Sequence, residues 1–459
     1  MTPTADHSLA HLAAFAAELH CSDLPRSLLE KTRACLLYGA TVGIAAQIAP
    51  QPRLALQATG GGGSPAAATR FLDGAACAAE DAAFANAVLF HARCQDDSHP
   101  AGHFGNVVLP AAIATAEAVG ASGAELVAAI VAGYEVALRI GRDHAVELSR
   151  RGFRTTPAYG VFGAAAATGR LLQLAPAGMA QALALAASMA CGLREFVQAG
   201  SDEFAYQPGI AARNGMLAAR LAAAGATGSA SALTGSAGFF AAFGSPGRAY
   251  ADRLLDGLGS VFEMQAVAFK PWPVCQFHRA VIAGLLELRA HSNDGVVAEM
   301  AIRMHPAEAD FWGVRFTGPF HRFPQTFMSA PFCAALAWTK GAVTFAGLHE
   351  FADSVVLDLV PRVQVIADAS CGRSAPKLSV IFADGSVAEW NSDGGNSDFR
   401  LDWAAALRLA AVLGAEAGVP KQATAALASS AATIDVSADV RPLISAICAA
   451  ASAAAPSQR

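Results

Sequence analysis

In residues 126–148 apolar side chains recur at about 3.6-residue spacing, with Glu135, Arg139, Arg142, Asp143 and Glu147 among them. That period predicts an amphipathic helix. Residues 81–91, 106–119, 161–174 and 180–193 are rich in small apolar residues and also read as helices. Side chains this small let helices approach closely. Residues 1–265 therefore read as helix after helix. Gly60-Gly61-Gly62-Gly63-Ser64-Pro65 is expected to be a loop. It lacks the Lys-Ser/Thr of a phosphate loop and reads as a connection, not a nucleotide site.

The texture changes after Lys270. Residues 297–304, 362–367 and 378–382 alternate like strands. The last runs into Ala383-Asp384-Gly385-Ser386, a hairpin-turn signal. Helical runs lie among them at 280–290 and 329–338, and helix returns at 404–413 and 443–454. The pattern predicts a helical domain over 1–267, a smaller α/β domain over 268–399, and C-terminal helices over 400–459 that return to the first domain. The fold class is mainly α plus α/β. No internal repeat is evident.

Composition narrows the setting. The 459 residues are 54% hydrophobic and 15% charged, and mean hydropathy is +0.37. Such a chain is too apolar for disorder. A monomer would struggle to cover its surface with polar groups, so a homodimer is expected. Net charge is −5 and no basic block occurs, which excludes nucleic acid as the expected partner. Residues 34–52 and 171–193 are charge-free and long enough to span a membrane. Gln47, Pro50, Gln173, Pro176 and Gln181 interrupt them, so both read as buried helix, with no membrane partner. The N-terminus has no basic stretch before an apolar run, which argues against a secretory signal. Nine cysteines lie scattered without CxxC spacing. Together these features predict a cytoplasmic protein with reduced thiols.

The densest chemistry is Cys94-Gln95-Asp96-Asp97-Ser98-His99-Pro100-Ala101-Gly102-His103. Pro100 and Gly102 make it a loop between two helices. Imidazoles held beside carboxylates suit acid–base work. The competing role is a capping loop, with Asp or Ser satisfying helix N–H groups and the histidines solvated. His99 and His103 have i,i+4 spacing, but Pro100 and Gly102 break any helix between them, so no metal is expected. A second cluster is Phe269-Lys270-Pro271-Trp272-Pro273-Val274-Cys275-Gln276-Phe277-His278. Lys270 is one of only five lysines. In that apolar setting it could clamp a carboxylate or simply snorkel at a linker. Cys275 reads as a buried thiol before a nucleophile. In Arg151-Gly152-Phe153-Arg154, Arg154 could bind a carboxylate bidentately or belong to a surface loop.

In order and spacing, these segments resemble the MmgE/PrpD family. The carriers are Asp96-Asp97-Ser98-His99-Pro100 with His103, Val108-Leu109-Pro110-Ala111-Ala112, Gly133-Tyr134-Glu135-Val136 and Arg151-Gly152-Phe153. Gly160-Val161-Phe162-Gly163, Pro208-Gly209-Ile210-Ala211-Ala212, Phe269-Lys270-Pro271-Trp272-Pro273 and Pro324-Gln325-Thr326-Phe327 complete the set. The resemblance implies a large all-helical domain with a smaller α/β lid, usually dimeric, with the site between domains. It implies cofactor-free chemistry on small carboxylates, of the dehydratase, decarboxylase or epimerase type. Carried over by position, the site uses Asp97, Ser98, His103 and Lys270.

Several positions depart from the family pattern: Cys94 and Arg154, and the apolar Phe204, Ile282 and Phe332. The expected protein is thus a lyase or isomerase using general acid–base catalysis. His103 and Asp97 would handle the proton with Lys270. Ser98, Asp96, Arg154, His278 and Cys275 would bind a substrate with fewer carboxylates than citrate. The alternative is a non-catalytic dimeric scaffold that keeps the fold.

Overall fold

The computed structural model describes residues 7–59, 67–245, 249–292, 295–392 and 399–454. The glycine run at 60–65 lies outside them. The chain divides into two units. Unit 1 holds Met1–Arg194, Phe204–Phe269 and Arg400–Arg459; unit 2 holds Glu195–Glu203 and Lys270–Phe399.

Unit 1 is helical, and five helices matter most: α1 (Arg26–Ala46), α2 (Ala79–His91), α3 (Gly105–Val119), α4 (Gly123–Arg142) and α5 (Thr155–Leu171). The α4 start is written in its sequence. The Ser122 hydroxyl accepts from the Glu125 N–H, and the Glu125 carboxylate accepts from the Ser122 N–H at 2.7 Å. Arg139 and Arg142 occupy the last turn, where the helix dipole favours cations. Helices α4 and α5 cross at Gly133 and Gly163. A methyl on Gly133 would come within 2.7 Å of the Gly163 carbonyl oxygen, and the converse holds at 2.8 Å. The dense small residues thus buy backbone proximity. A sixth helix, α6 (Glu203–Ala223), begins at the edge of unit 2 and continues through unit 1. Helix Trp403–Glu416 packs on α1.

Three expectations change here. The 126–148 helix breaks after Arg142, and a short one runs Ala145–Arg150. His144 at the break is drawn among Tyr159, Phe239, Phe240 and Tyr250, and its Nδ1 lies 2.8 Å from the Tyr159 hydroxyl. The run to 265 is not helical throughout. A two-residue antiparallel pair, β1 (Ala68–Thr69) with β2 (Ala76–Cys77), interrupts it. The described residues of 224–245 and 249–262 are mostly turns around the short helix Phe239–Phe243, because repeated glycines deny them helical persistence. The 180–193 run stays helical only to Ala187. Among the described residues, no helix is long and apolar enough to cross a membrane.

Unit 2 is built on a four-stranded mixed sheet: β3 (Val297–Met304), β4 (Val363–Ala367), β5 (Lys377–Phe382) and β6 (Val387–Asn391), in the order β4-β3-β5-β6. β3 pairs parallel with β4 and antiparallel with β5. The β5–β6 hairpin turns at Gly385, whose φ of +84° suits a residue without Cβ. Helix Arg279–His291 lies against this sheet. Gly284 leaves room there for Trp390, whose indole N–H donates to Glu287 at 2.9 Å.

Candidate active site

The polar loop between α2 and α3 is pinned from several sides. Cys94 turns it with a left-handed φ of +54°, a conformation costly for a residue with Cβ. Arg93 donates to the Gln95 side chain at 2.6 Å and to Glu416 at 2.5 Å. The Tyr38 hydroxyl donates to the Gln95 carbonyl. Further on, Ser98 and Ala268 exchange two backbone hydrogen bonds of 2.8 Å, and His99 and Gly102 exchange two of 2.9 Å.

Neighbouring carboxylates on this loop do different work, because the chain bends at Asp96 and the two side chains face different ways. Asp97 turns toward α3 and α4. It accepts from the Gly105 N–H at 3.1 Å and from the Tyr134 hydroxyl. It is a helix cap, and α3 must begin with glycine to admit it. A Cβ at Gly105 would lie 2.5 Å from the Tyr134 oxygen and 2.8 Å from Asp97 Oδ2. Burial and the Asp97 charge push the Tyr134 phenol well above its usual range, so it stays a donor. Asp96 faces the imidazoles instead. Its Oδ1 lies 3.0 Å from His91 Nδ1, and its Oδ2 accepts from Asn106 at 2.7 Å and lies 3.8 Å from His103 Nδ1.

His103 Nδ1 lies 2.7 Å from the Asp97 backbone carbonyl. A carbonyl only accepts, so Nδ1 carries the proton. In the neutral ring Nε2 is then the basic atom. His103 is half-buried, whereas His91, Asp96, Asp97 and Ser98 are buried. The Ser98 hydroxyl finds no hydrogen-bond partner among the described residues. A cavity of about 10 Å³ opens beside Asp96, Asp97 and Asn106, room for a single water.

Arg154 lies behind this group. Its Nη1 donates to the Phe204 carbonyl at 2.6 Å and to Gln207 at 3.1 Å, and its Nη2 lies 2.5 Å from His91 Nε2. A guanidinium only donates, so His91 Nε2 accepts and Nδ1–H points at Asp96. Arg154 is thus a buried cation with internal partners, neither a surface residue nor an open carboxylate clamp. Burial lowers its affinity for the proton, while Cys94 and Asp96 oppose that shift. His91, Cys94 and Asp96 present ligand atoms within 4.8 Å of one another, a spacing open to a metal ion. The Arg154 guanidinium already supplies positive charge beside His91, and a second cation there would be repelled. His99 stands apart: burial pushes it down to about 4, so it is neutral near pH 7.

Lys270, Cys275 and His278 belong to unit 2, and all three are buried. The Cys275 N–H donates to the Phe327 carbonyl at 3.1 Å. Burial pushes His278 down to about 3, opposed by the Phe327 backbone. Phe332 packs against Phe320 at 4.8 Å, and Ile282 is fully buried. Phe204, in unit 1, sets its ring edge-on to His91 at 5.7 Å.

Three residues of the unit 1 cluster escaped the sequence reading: His91, Asn106 and Tyr134. His91 ends α2 and Asn106 lies in the first turn of α3, so both flank the polar loop in the chain, and that adjacency is the signal that could have found them; Tyr134, in the middle of α4, gives no such local signal. A larger cleft of about 640 Å³ lies elsewhere in unit 1, among Ser188, Thr227, Ser229, Ser231, Phe239 and Phe243. Among the described residues no ionisable side chain lines it, and the acid–base candidate stays with the Asp96–His103 loop.

Comparison with known proteins gives the same loop a family context. Residues 10–250, more than half of the chain, match the MmgE/PrpD N-terminal domain. The chain is similar to cis-aconitate decarboxylase of Aspergillus terreus, 29% identical over 279 residues, covering 58% of this chain and 57% of the relative. It is similar to human cis-aconitate decarboxylase, 32% identical over 231 residues, covering 48% and 46%. A cis-aconitate decarboxylase-like protein of Aspergillus oryzae is 30% identical over 229 residues, covering 48% and 47%. The chain thus spans about half the length of the curated relatives it matches. With the domain match running through the helices that carry the Asp96–His103 loop, the chain belongs to the MmgE/PrpD family.

Proposed function

We propose that this protein is a lyase or isomerase of the decarboxylase or dehydratase type, moving a proton at a carbon next to a carboxylate without a cofactor. The observation that carries the reading is His103. Its Nδ1 is committed to a backbone carbonyl, the Asp96 carboxylate stands 3.8 Å away, and its ring is only half-buried. With the proton on Nδ1, Nε2 is the ring's basic atom and would take a proton from substrate, and Asp96 favours the imidazolium that forms. The same ring then returns the proton. Ser98, with its buried hydroxyl, would donate to a substrate oxygen, and Lys270 would pair with a substrate carboxylate. Arg154 would support from behind, through His91 and Asp96.

The similarity to cis-aconitate decarboxylases favours a small unsaturated acid as substrate. Within unit 1, Arg154 has internal partners and the apolar Phe204 ring stands edge-on to His91. We therefore assign the site a mono- or dicarboxylate in preference to a tricarboxylate. An unpaired buried carboxylate costs several kcal/mol, enough for strong rejection. The working form is a homodimer in the cytoplasm.

A side-by-side assay tests this reading. cis-Aconitate, 2-methylcitrate and smaller unsaturated or hydroxylated acids are offered to the protein, with and without EDTA, and loss or exchange of the substrate proton is followed by NMR. Turnover of a mono- or dicarboxylate that survives EDTA is expected. No turnover of any acid would return the protein to a scaffold role. Turnover of a tricarboxylate at a kcat/KM of roughly 10⁴ M⁻¹s⁻¹ or more would overturn the substrate assignment. Light scattering that gives the mass of one chain would overturn the dimer.

A further inference from the structure

Lys31 is a costly side chain to bury. It lies on α1, only 4% exposed. An ammonium taken out of water loses several kcal/mol unless hydrogen bonds replace its hydration. Here Nζ donates to the Val267 carbonyl and to the Leu401 carbonyl, each at 2.6 Å. Those carbonyls belong to the segments where the chain leaves unit 1, after Phe269, and re-enters it at Arg400. Between them, Ala268 pairs antiparallel with Ser98 on one side and Arg400 on the other. The Ser98 and Ala268 amides each donate to the other's carbonyl at 2.8 Å. One cation therefore secures both flanks of a three-segment bridge whose first member carries the buried Ser98 hydroxyl. Asp97 belongs to the same arrangement. Burial disfavours the charged ammonium and Arg400 adds to that, while Cys35, Asp97 and Asp402 oppose it.

We infer that Lys31 is a positioning residue: through the Val267 and Leu401 carbonyls it fixes the Ser98–Ala268–Arg400 bridge, and so the part of the polar loop that would meet substrate. It touches no reacting atom. The consequence for turnover rests on the lyase reading above; the consequence for the backbone does not.

The experiment is amide hydrogen exchange by mass spectrometry on the full chain, with peptides that resolve Ser98 and Ala268. In Lys31→Met both amides should exchange at least tenfold faster, while the α4–α5 crossing stays within twofold of wild type. On whichever acid the wild type turns over, kcat should fall at least tenfold with KM moved less than threefold. Lys31→Arg keeps two donors and should return both amides to within threefold of wild type. Wild-type exchange at Ser98 and Ala268 in Lys31→Met overturns the proposal. So does faster exchange with unchanged kcat, since the bridge would then be ornamental. If Lys31→Met does not fold, Lys31→Arg decides. Protection at both amides supports the clamp, and its loss refutes it. A wild type that turns over no acid sinks the lyase reading but leaves the exchange result standing.

Discussion

The loop at residues 92–104 and the segment at 270–278 both concentrate polar chemistry, yet they surround it in opposite ways. In the loop, ionisable groups meet polar partners. His91 lies between Asp96 and Arg154, Asp97 between Gly105 and Tyr134, and His103 against a carbonyl. In the second segment Lys270, Cys275 and His278 are buried. Phe277 packs on Phe311 at 4.9 Å, and desolvation holds His278 neutral down to about pH 3. A histidine beside a carboxylate and open to solvent can cycle its proton, whereas one held dry can only offer a fixed donor and acceptor. The residue type alone does not say which is which.

The largest effect that tests this contrast is on turnover. His103→Ala should lower kcat by about 10²–10⁴-fold, measured on the acid the wild type turns over. His278→Gln should leave the acid limb of the kcat/KM profile where it is, because His278 does not titrate in that range. A limb that moves with His278→Gln would break the comparison. The next effect is on stability. Burial holds folded His278 at about 3, below the ordinary imidazole value of 6.5, so the stability this neutral ring allows is full above pH 6.5. It falls as pH drops through the window from 6.5 to 3. At pH 4 the loss is on the order of 3 kcal/mol, and His99, pushed down to about 4, adds to it in unit 1. Thermal melts from pH 7 to 4 should fall steeply, and His278→Gln should flatten the fall. An unchanged slope in that variant would show that His278 is not held neutral.

Packing around the cap gives a smaller effect. Gly105→Ala places a methyl where the Tyr134 oxygen and Asp97 Oδ2 already stand. Overpacking of this kind costs about 1–3 kcal/mol. Chemical denaturation should report it, with turnover reduced because the loop shifts. A variant as stable as wild type would mean the Asp97–Tyr134 contact gives way freely.

Much of the frame was legible because it rests on local signals. The 3.6-residue period from 126 marks α4, and Asp384-Gly385 marks the β5–β6 hairpin. The described part of 224–262 was not, since its apolar residues suggested helix while its glycines settled the backbone. The candidate loop, with Asp96, Asp97, Ser98 and His103 in it, stands out in the sequence as a dense polar cluster between two apolar runs, and the roles of Asp97, Ser98 and His103 are what the family resemblance implies. Which carboxylate faces the imidazole was not legible. That depends on the bend at Asp96, and the turn at Cys94, with its left-handed φ, lies just upstream. Arg154 read as a carboxylate clamp or a surface residue. Its partners Phe204 and Gln207 lie some fifty positions away on α6, beyond any local pattern.

The finest test separates the two aspartates. Asp96→Asn removes the negative charge 3.8 Å from His103 Nδ1 and leaves the shape nearly intact. A carboxylate at that distance favours the imidazolium, so without it the imidazole becomes the free base at lower pH. The acid limb of kcat/KM should shift downward by less than about one unit, the size of a partly screened charge effect. Asp97→Asn makes the opposite trade. It weakens the acceptor for the Gly105 N–H and the Tyr134 hydroxyl, and should cost about 0.5–2 kcal/mol of stability, as a lost helix cap does. Its acid limb should stay in place, because the hydrogen bond His103 makes to Asp97 is to the main-chain carbonyl. If instead Asp97→Asn moves the limb and Asp96→Asn does not, the proton is governed by the other carboxylate, and the assignment of cap and charge partner on this loop must be exchanged.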